Sequence, residues 1–139
     1  MKFARASHAP GNGITITTLA GPALIGDFEM GSETDDHEIE IKSKGLSDVY
    51  FAHVRIVPGG HSPWHSHPGP SVLAIKSGTA SVYQASDPSV PQVVNAGESF
   101  VEDATLVHQV VNEGDTDLEF FVLQIVPFGA PRLILEPAP

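Results

Sequence analysis

An all-β sandwich or barrel is what this sequence predicts, on three observations. No stretch sustains an apolar pattern of helical period. About ten short stretches alternate apolar and polar residues or are rich in β-branched residues. Glycines and prolines, 13 and 12 of them in 139 residues, fall mainly between those stretches, where they favour turns and cannot extend a ladder.

Taken in order, residues 1–13 are small and polar, end in Pro10-Gly11-Asn12-Gly13, and read as a loose arm. Ile14 to Leu19 alternates and is β-branched, a strand that Ala20-Gly21-Pro22 should break. Ala23 to Gly31 has no clear period, and Ser32 to Asp36 reads as a polar loop. His37 to Ile41 alternates again, with Ile39 and Ile41 on one face. Val49 to Val57 sets Tyr50, Ala52, Val54 and Ile56 on one face and Phe51, His53 and Arg55 on the other, and Pro58-Gly59-Gly60 should end it.

Val72 to Ser77 and Thr79 to Ala85 flank Gly78 as a hairpin would, and Ser86 to Pro91 reads as a loop with two prolines. Gln92 to Asn95, Ser99 to Glu102 and Leu106 to Asn112 are three further strands. Leu118 to Val126 is almost wholly apolar, as a strand buried on both faces would be. Arg132 to Leu135 is a last edge strand before a frayed end.

The length suits one domain with a real core. Its barrel spans about residues 45–126, followed by a tail over 127–139. The absence of cysteine excludes disulfides and thiolate ligands, so any metal must be held by nitrogen or oxygen. A formal charge of −10 with seven Lys and Arg argues against a nucleic-acid partner and against an anionic membrane surface. No apolar run reaches the ~18 residues of a membrane span, and the start lacks the apolar segment of a secretory signal. The expected location is the cytoplasm.

The chemistry concentrates between Pro58 and Gly78, where His65 and His67 stand one residue apart. On an extended backbone both imidazoles point the same way, as two ligands of one ion would. His108 is the candidate third ligand, sharing one strand face with Val110 and Asn112. These positions resemble the motifs of the cupin superfamily. Its first motif is G, five residues, H-x-H, three or four residues, E, six residues, G. The chain has Gly59, His65-Ser66-His67, Ser71 and Gly78 at those spacings. The second motif ends in P-x-G and then H, three residues, N; His108 and Asn112 fit it, while Asn95-Ala96-Gly97 has Asn95 in place of the proline. More loosely, Trp64 to Pro70 and Pro127 to Arg132 are similar to short bacterial cupins.

The resemblance implies a jelly-roll (double-stranded β-helix) barrel with one divalent transition metal on His65, His67 and His108; Fe, Zn, Ni and Mn are not distinguished. Ser71 stands where the family has its glutamate, so the carboxylate ligand is expected to be missing. Three neutral imidazoles would then leave the ion at +2, with room for water or an anionic, chelating substrate. Ser71 is either a space-filler or a group that hydrogen-bonds near the metal. Gln124, a polar residue on an apolar strand, is a pocket candidate because a buried amide needs partners. His53 is a second candidate, at the barrel mouth, with a surface or interface role as the alternative. Arg132 is read as a surface residue, with a carboxylate clamp at the rim as the alternative. Glu98, Glu102 and Asp103 sit around turns and are read as exposed, so no catalytic residue is assigned.

By analogy with three-histidine cupins, the first reading of function is a dioxygenase-like enzyme acting on a small organic substrate. The alternatives are a non-catalytic ligand- or metal-binding and sensing module, and a metal-dependent lyase or isomerase. Small cupins commonly pair, so a homodimer is expected.

Overall fold

The computed structural model describes residues 11–139, so the arm expected over 1–13 lies almost wholly outside the described residues. Among the described residues there are twelve strands and no helix. They are β1 (Asn12–Ile25), β2 (Phe28–Glu33), β3 (Glu38–Ser43), β4 (Ser47–His61), β5 (His65–Ser66), β6 (Ser71–Ser77), β7 (Thr79–Gln84), β8 (Asp87–Asn95), β9 (Ser99–Glu102), β10 (His108–Val111), β11 (Leu118–Pro127) and β12 (Ile134–Leu135).

Ten of them form one antiparallel, barrel-like sheet of the jelly-roll kind. One half runs β1-β4-β11-β6-β9 and the other β8-β7-β10-β5-β12. The halves join where Val111 of β10 pairs with His61 at the end of β4. β2 and β3 form a separate hairpin, in register from Phe28↔Ser43 to Glu33↔Glu38.

Strand alternation builds the core. Val54 and Ile56 of β4, Leu73 and Ile75 of β6, Ala80 and Val82 of β7, Phe100 of β9 and Leu118 and Phe120 of β11 all turn inward and are buried. Their apolar area removed from water supplies the main driving force for closing the two halves on one another.

Several expectations change. β11 is buried on one face only: Leu118, Phe120, Val122 and Gln124 turn in, while Phe121 is 42% exposed. Its apolar outer face belongs to a sheet surface that also exposes Phe51, Val72 and Val101. The 72–77 and 79–85 strands are not a hairpin, because β6 pairs with β11 and β9 whereas β7 pairs with β8 and β10. Gly78 is the corner between the two halves. Its φ of +79° suits glycine, and a Cβ there would lie 2.6 Å from the Asp117 carbonyl. The expected proline loop over 86–91 is largely strand, since β8 begins at Asp87 and pairs with the outer edge of β7, where a missing N–H is tolerated.

β1 does not stop at Pro22. It absorbs the interruption by register shifts between Thr18 and Ala20 and between Ala20 and Ala23, then pairs on to Ile25↔Ser47. β4 likewise passes Pro58 and reaches His61, with the Gly59 N–H donating to the Asn112 carbonyl at 2.9 Å. The C-terminal segment is tied down: the Glu136 N–H donates to the Trp64 carbonyl, and Ser66 Oγ donates to Glu136 Oε2 at 2.6 Å.

Candidate metal centre

β5 and β10 lie antiparallel with His65 and His108 as direct Cα partners. Opposed residues of an antiparallel pair share a face, so both imidazoles enter the barrel, and His67 follows two residues later. The ring centroids are 4.3 Å apart for His65 and His108, 4.8 Å for His65 and His67, and 5.3 Å for His67 and His108. All three side chains are buried.

Each imidazole is oriented by a backbone carbonyl. Nδ1–H of His65 donates to Pro63 O (2.8 Å), that of His67 to Arg132 O (2.8 Å), and that of His108 to Leu106 O (3.0 Å). These acceptors assign the proton to Nδ1 and leave the Nε2 lone pairs directed inward, the arrangement found for metal-ligating histidines.

The fourth member is Glu102, on the last position of β9. It is 8% exposed, which overturns its reading as a surface residue. Its Oε2 is 2.5 Å from His108 Nε2 and its Oε1 is 3.4 Å from His67 Nε2. Neither Nε2 is aligned to donate a hydrogen bond, despite this proximity. One donor atom from each of His65, His67, Glu102 and His108 falls within 4.8 Å of all the others. Buried nitrogens without hydrogen-bond partners, converging with a carboxylate, are a donor set that fits a divalent transition metal.

Glu102 is therefore the carboxylate that the sequence motif lacked at Ser71. Ser71 is its direct Cα partner across β6 and β9, is 1% exposed, and has no hydrogen-bond partner for Oγ. One sequence signal pointed to Glu102: Phe100 and Glu102 share a strand face, so burying Phe100 turns Glu102 inward as well.

In the metal-free protein the cluster is strongly coupled. Burial, reinforced by His108 and then by His67, lowers the His65 pKa to about 4, against the pull of the Pro63 carbonyl. Burial pushes Glu102 up, but His108 and His67 outweigh it and hold its carboxyl at about 2. Burial lowers the His108 pKa, and the adjacent Glu102 carboxylate more than reverses this, leaving it raised.

His65, His67 and Glu102 of the cluster line one wall of a cavity of about 200 Å³. Ala52, Val54, Ile56, Leu73, Val122 and Phe120 are among its apolar lining, with Ile14 and Ile16 contributed by β1. Gln124 lines it too, is 6% exposed, and donates from Nε2 to the Arg132 carbonyl at 3.3 Å. Arg132 also lines the cavity rather than lying on open surface. His53 does not: it is on the outward face of β4, with Nε2 2.9 Å from Glu119 Oε1 and its ring against Phe121. Ser71 is paired with Glu102 across β6 and β9 without lining the cavity.

The family model for the cupin domain matches residues 52–124, more than half of the chain. This chain is a cupin. It is 28% identical over 143 residues to germin-like protein 3-1 of Oryza sativa subsp. japonica, with 94% of the cupin aligned. It spans only 62% of that protein's length. Among solved structures, the cupin-like protein tm1010 of Thermotoga maritima is similar with a TM-score of 0.64 and 16% identity, over 99% of this cupin and 84% of that chain. The polyketide cyclase RemF of Streptomyces resistomycificus gives 0.63 and 14%, over 91% and 73%. At these identities the two structural likenesses are likenesses of fold.

Proposed function

We propose that this cupin is a metal-dependent enzyme acting on a small organic molecule, with dioxygenase-like oxidation at ferrous ion as the first reaction class. One observation carries the reading: four converging donors, His65, His67, Glu102 and His108, of which the first three line a partly open, mainly apolar cavity. A bound divalent ion supplies Lewis acidity there and, when it is iron, redox chemistry with oxygen. The protein's own part is clear from its contacts. The Pro63, Arg132 and Leu106 carbonyls hold the three rings in place. Glu102 brings one negative charge, so a divalent ion on this set is left at +1 rather than the +2 expected from imidazoles alone. The aliphatic walls exclude water and favour an apolar substrate body.

A second reading, a binding or sensing module without chemistry, is favoured by one specific feature. Among the described residues Glu102 is the only carboxylate lining the cavity, and it lies against two imidazoles, 2.5 Å from His108 Nε2 and 3.4 Å from His67 Nε2. No second carboxylate among the described residues is therefore at hand as a general base. RemF, with the same fold, is a cyclase, and non-oxidative lyase or isomerase chemistry is a third reading.

Protein purified without a histidine tag, stripped and reloaded with ferrous ion, separates these readings. Oxygen uptake across a panel of small aromatic and aliphatic acids supports the dioxygenase reading. Turnover that persists anaerobically points to the lyase or isomerase. A ligand that raises Tm and is recovered unchanged points to the binding module. Failure to retain stoichiometric metal would overturn the metal-centre reading itself.

A further inference from the structure

The cavity holds a second polar feature, away from the donor cluster in sequence and unlike it in charge. Arg132 is half-buried at the cavity wall. Its Nε donates to Gln124 Oε1 (3.1 Å), one NH1 hydrogen goes to Thr18 Oγ1 (2.6 Å), and the guanidinium carbon lies 4.4 Å over the Tyr50 ring. A side chain that ordinarily samples many rotamers is thus fixed by three neighbours from three strands, β11, β1 and β4. Among the described residues no carboxylate pairs with it. The contrast is Arg55 on the outer surface, whose NH2 lies 2.7 Å from Asp117 Oδ2. In a chain with 17 acidic and seven basic residues, a pre-positioned cation left without a counter-charge beside a cavity is notable. Two of the five guanidinium N–H groups are used by neutral acceptors, which leaves donors for a planar anion.

We infer that Arg132 binds the carboxylate of the ligand, so that the site takes small organic acids with an apolar body, one ring or a short chain in size. This rests on reading the cavity as the site of a small organic ligand, and it names the class. The volume agrees: an apolar cavity of about 150 Å³ accommodates a benzene ring, and the present one is about 200 Å³. The walls accept the apolar body, and Arg132 supplies a charge-assisted, two-pronged contact that a neutral isostere cannot use. Gln124 is the positioning residue. Its Oε1 holds Arg132 Nε while its Nε2 donates to the Arg132 carbonyl, the same carbonyl that accepts from His67. Anion and donor cluster are thereby held in a fixed relation through one residue.

Calorimetric titration with benzoate, and with benzamide as its neutral counterpart, tests this on the zinc-loaded protein, on Arg132→Gln and on Arg132→Lys, with zinc content measured on each. The wild type is expected to prefer benzoate over benzamide by at least tenfold. Arg132→Gln should lose roughly 10- to 100-fold in benzoate affinity, the scale of a hydrogen-bonded charge. Benzamide binding and bound zinc should stay nearly unchanged. Arg132→Lys should keep part of the preference, since charge remains while the fork is lost; it also serves if the glutamine variant does not fold. Equal binding of the two probes by the wild type overturns the inference, as does a benzoate preference undiminished in Arg132→Gln, which would assign the carboxylate to the ion. The metal reading is scored separately. A benzoate preference that depends on Arg132 in protein that takes no zinc upholds the anion site while the metal centre falls. Stoichiometric zinc without the preference does the reverse.

Discussion

Ser71 and Glu102 are Cα partners across β6 and β9, both buried and both on the inner face of the barrel. The family's motif position therefore holds a hydroxyl, while the residue directly across the ladder supplies a carboxylate to the same volume. Exchange of ligand between facing strand positions conserves the donor set while changing its place in the sequence.

This exchange is testable by reversal. Glu102→Ser removes the only carboxylate of the cluster and should weaken zinc binding by roughly 100-fold or more, above the 10- to 100-fold typical of losing a group that merely supports a ligand. Ser71→Glu combined with Glu102→Ser should recover a large part of that affinity. Competition against a chromophoric chelator measures both. A double variant no tighter than Glu102→Ser would show that position 71 cannot reach the cluster.

The strands and the three histidines were legible because their signals are local. Alternation places Val110 with His108, and an H-x-H pair on extended chain projects to one side whatever lies across from it. Glu102 was not legible because its burial depends on β6–β9 pairing, whereas its immediate neighbour Asp103 is exposed and suggests a solvated turn. The double-sided burial expected for β11 failed for a related reason. The run Phe120-Phe121-Val122-Leu123 hides its period, because the outward positions are apolar as well. Gly78 shows the same limit. Glycine between two strands marks a turn, but only the partners of β6 and β7 decide whether it closes a hairpin or a corner.

Acid should destabilise the metal-free protein in a defined window. The folded-state pKa of His65 is depressed from 6.5 to about 4, so the unfolded chain takes up the proton first, and stability falls as pH drops from about 6.5 towards 4. Glu102, depressed from 4.5 to about 2, contributes stability above 4.5 that is lost as pH falls towards 2. His108 acts oppositely: its pKa is raised, so its contribution is present below 6.5 and lost as pH rises through its folded value. Urea denaturation of chelator-treated protein should show His65→Asn with a flatter stability profile than wild type between pH 6.5 and 4. The differential is on the order of 2–3 kcal/mol. Parallel profiles would contradict the assignment of a neutral, buried His65.

Asn112 belongs to the family motif but acts on the fold rather than on the metal. It is fully buried; Nδ2 donates to the carbonyls of Ile56 and Thr116 at 2.8 Å each, and Oδ1 accepts from the Gly114 N–H at 3.0 Å. These bonds tie the 113–117 turn to the end of β4. Asn112→Ala leaves those backbone groups without their partner and should cost roughly 2–4 kcal/mol. Zinc stoichiometry at low temperature should remain at the wild-type value. A loss of metal in a variant that is still folded would place Asn112 in the site instead.

The two faces of β11 are separable with one chemical change. Phe120 turns inward and is 4% exposed, while its neighbour Phe121 turns outward, is 42% exposed, and rests against the His53 ring at 5.2 Å between centroids. Phe120→Ala opens space in the core and should cost about 3–5 kcal/mol by chemical denaturation. Phe121→Ala removes mostly hydrated surface and one aromatic contact, and should cost about 1 kcal/mol. Both values should be independent of protein concentration if the outer sheet face is solvated. A penalty at Phe121 that grows with protein concentration would show that Phe51, Val72, Val101 and Phe121 are covered by a second copy of the chain, because only an associating state couples stability to concentration.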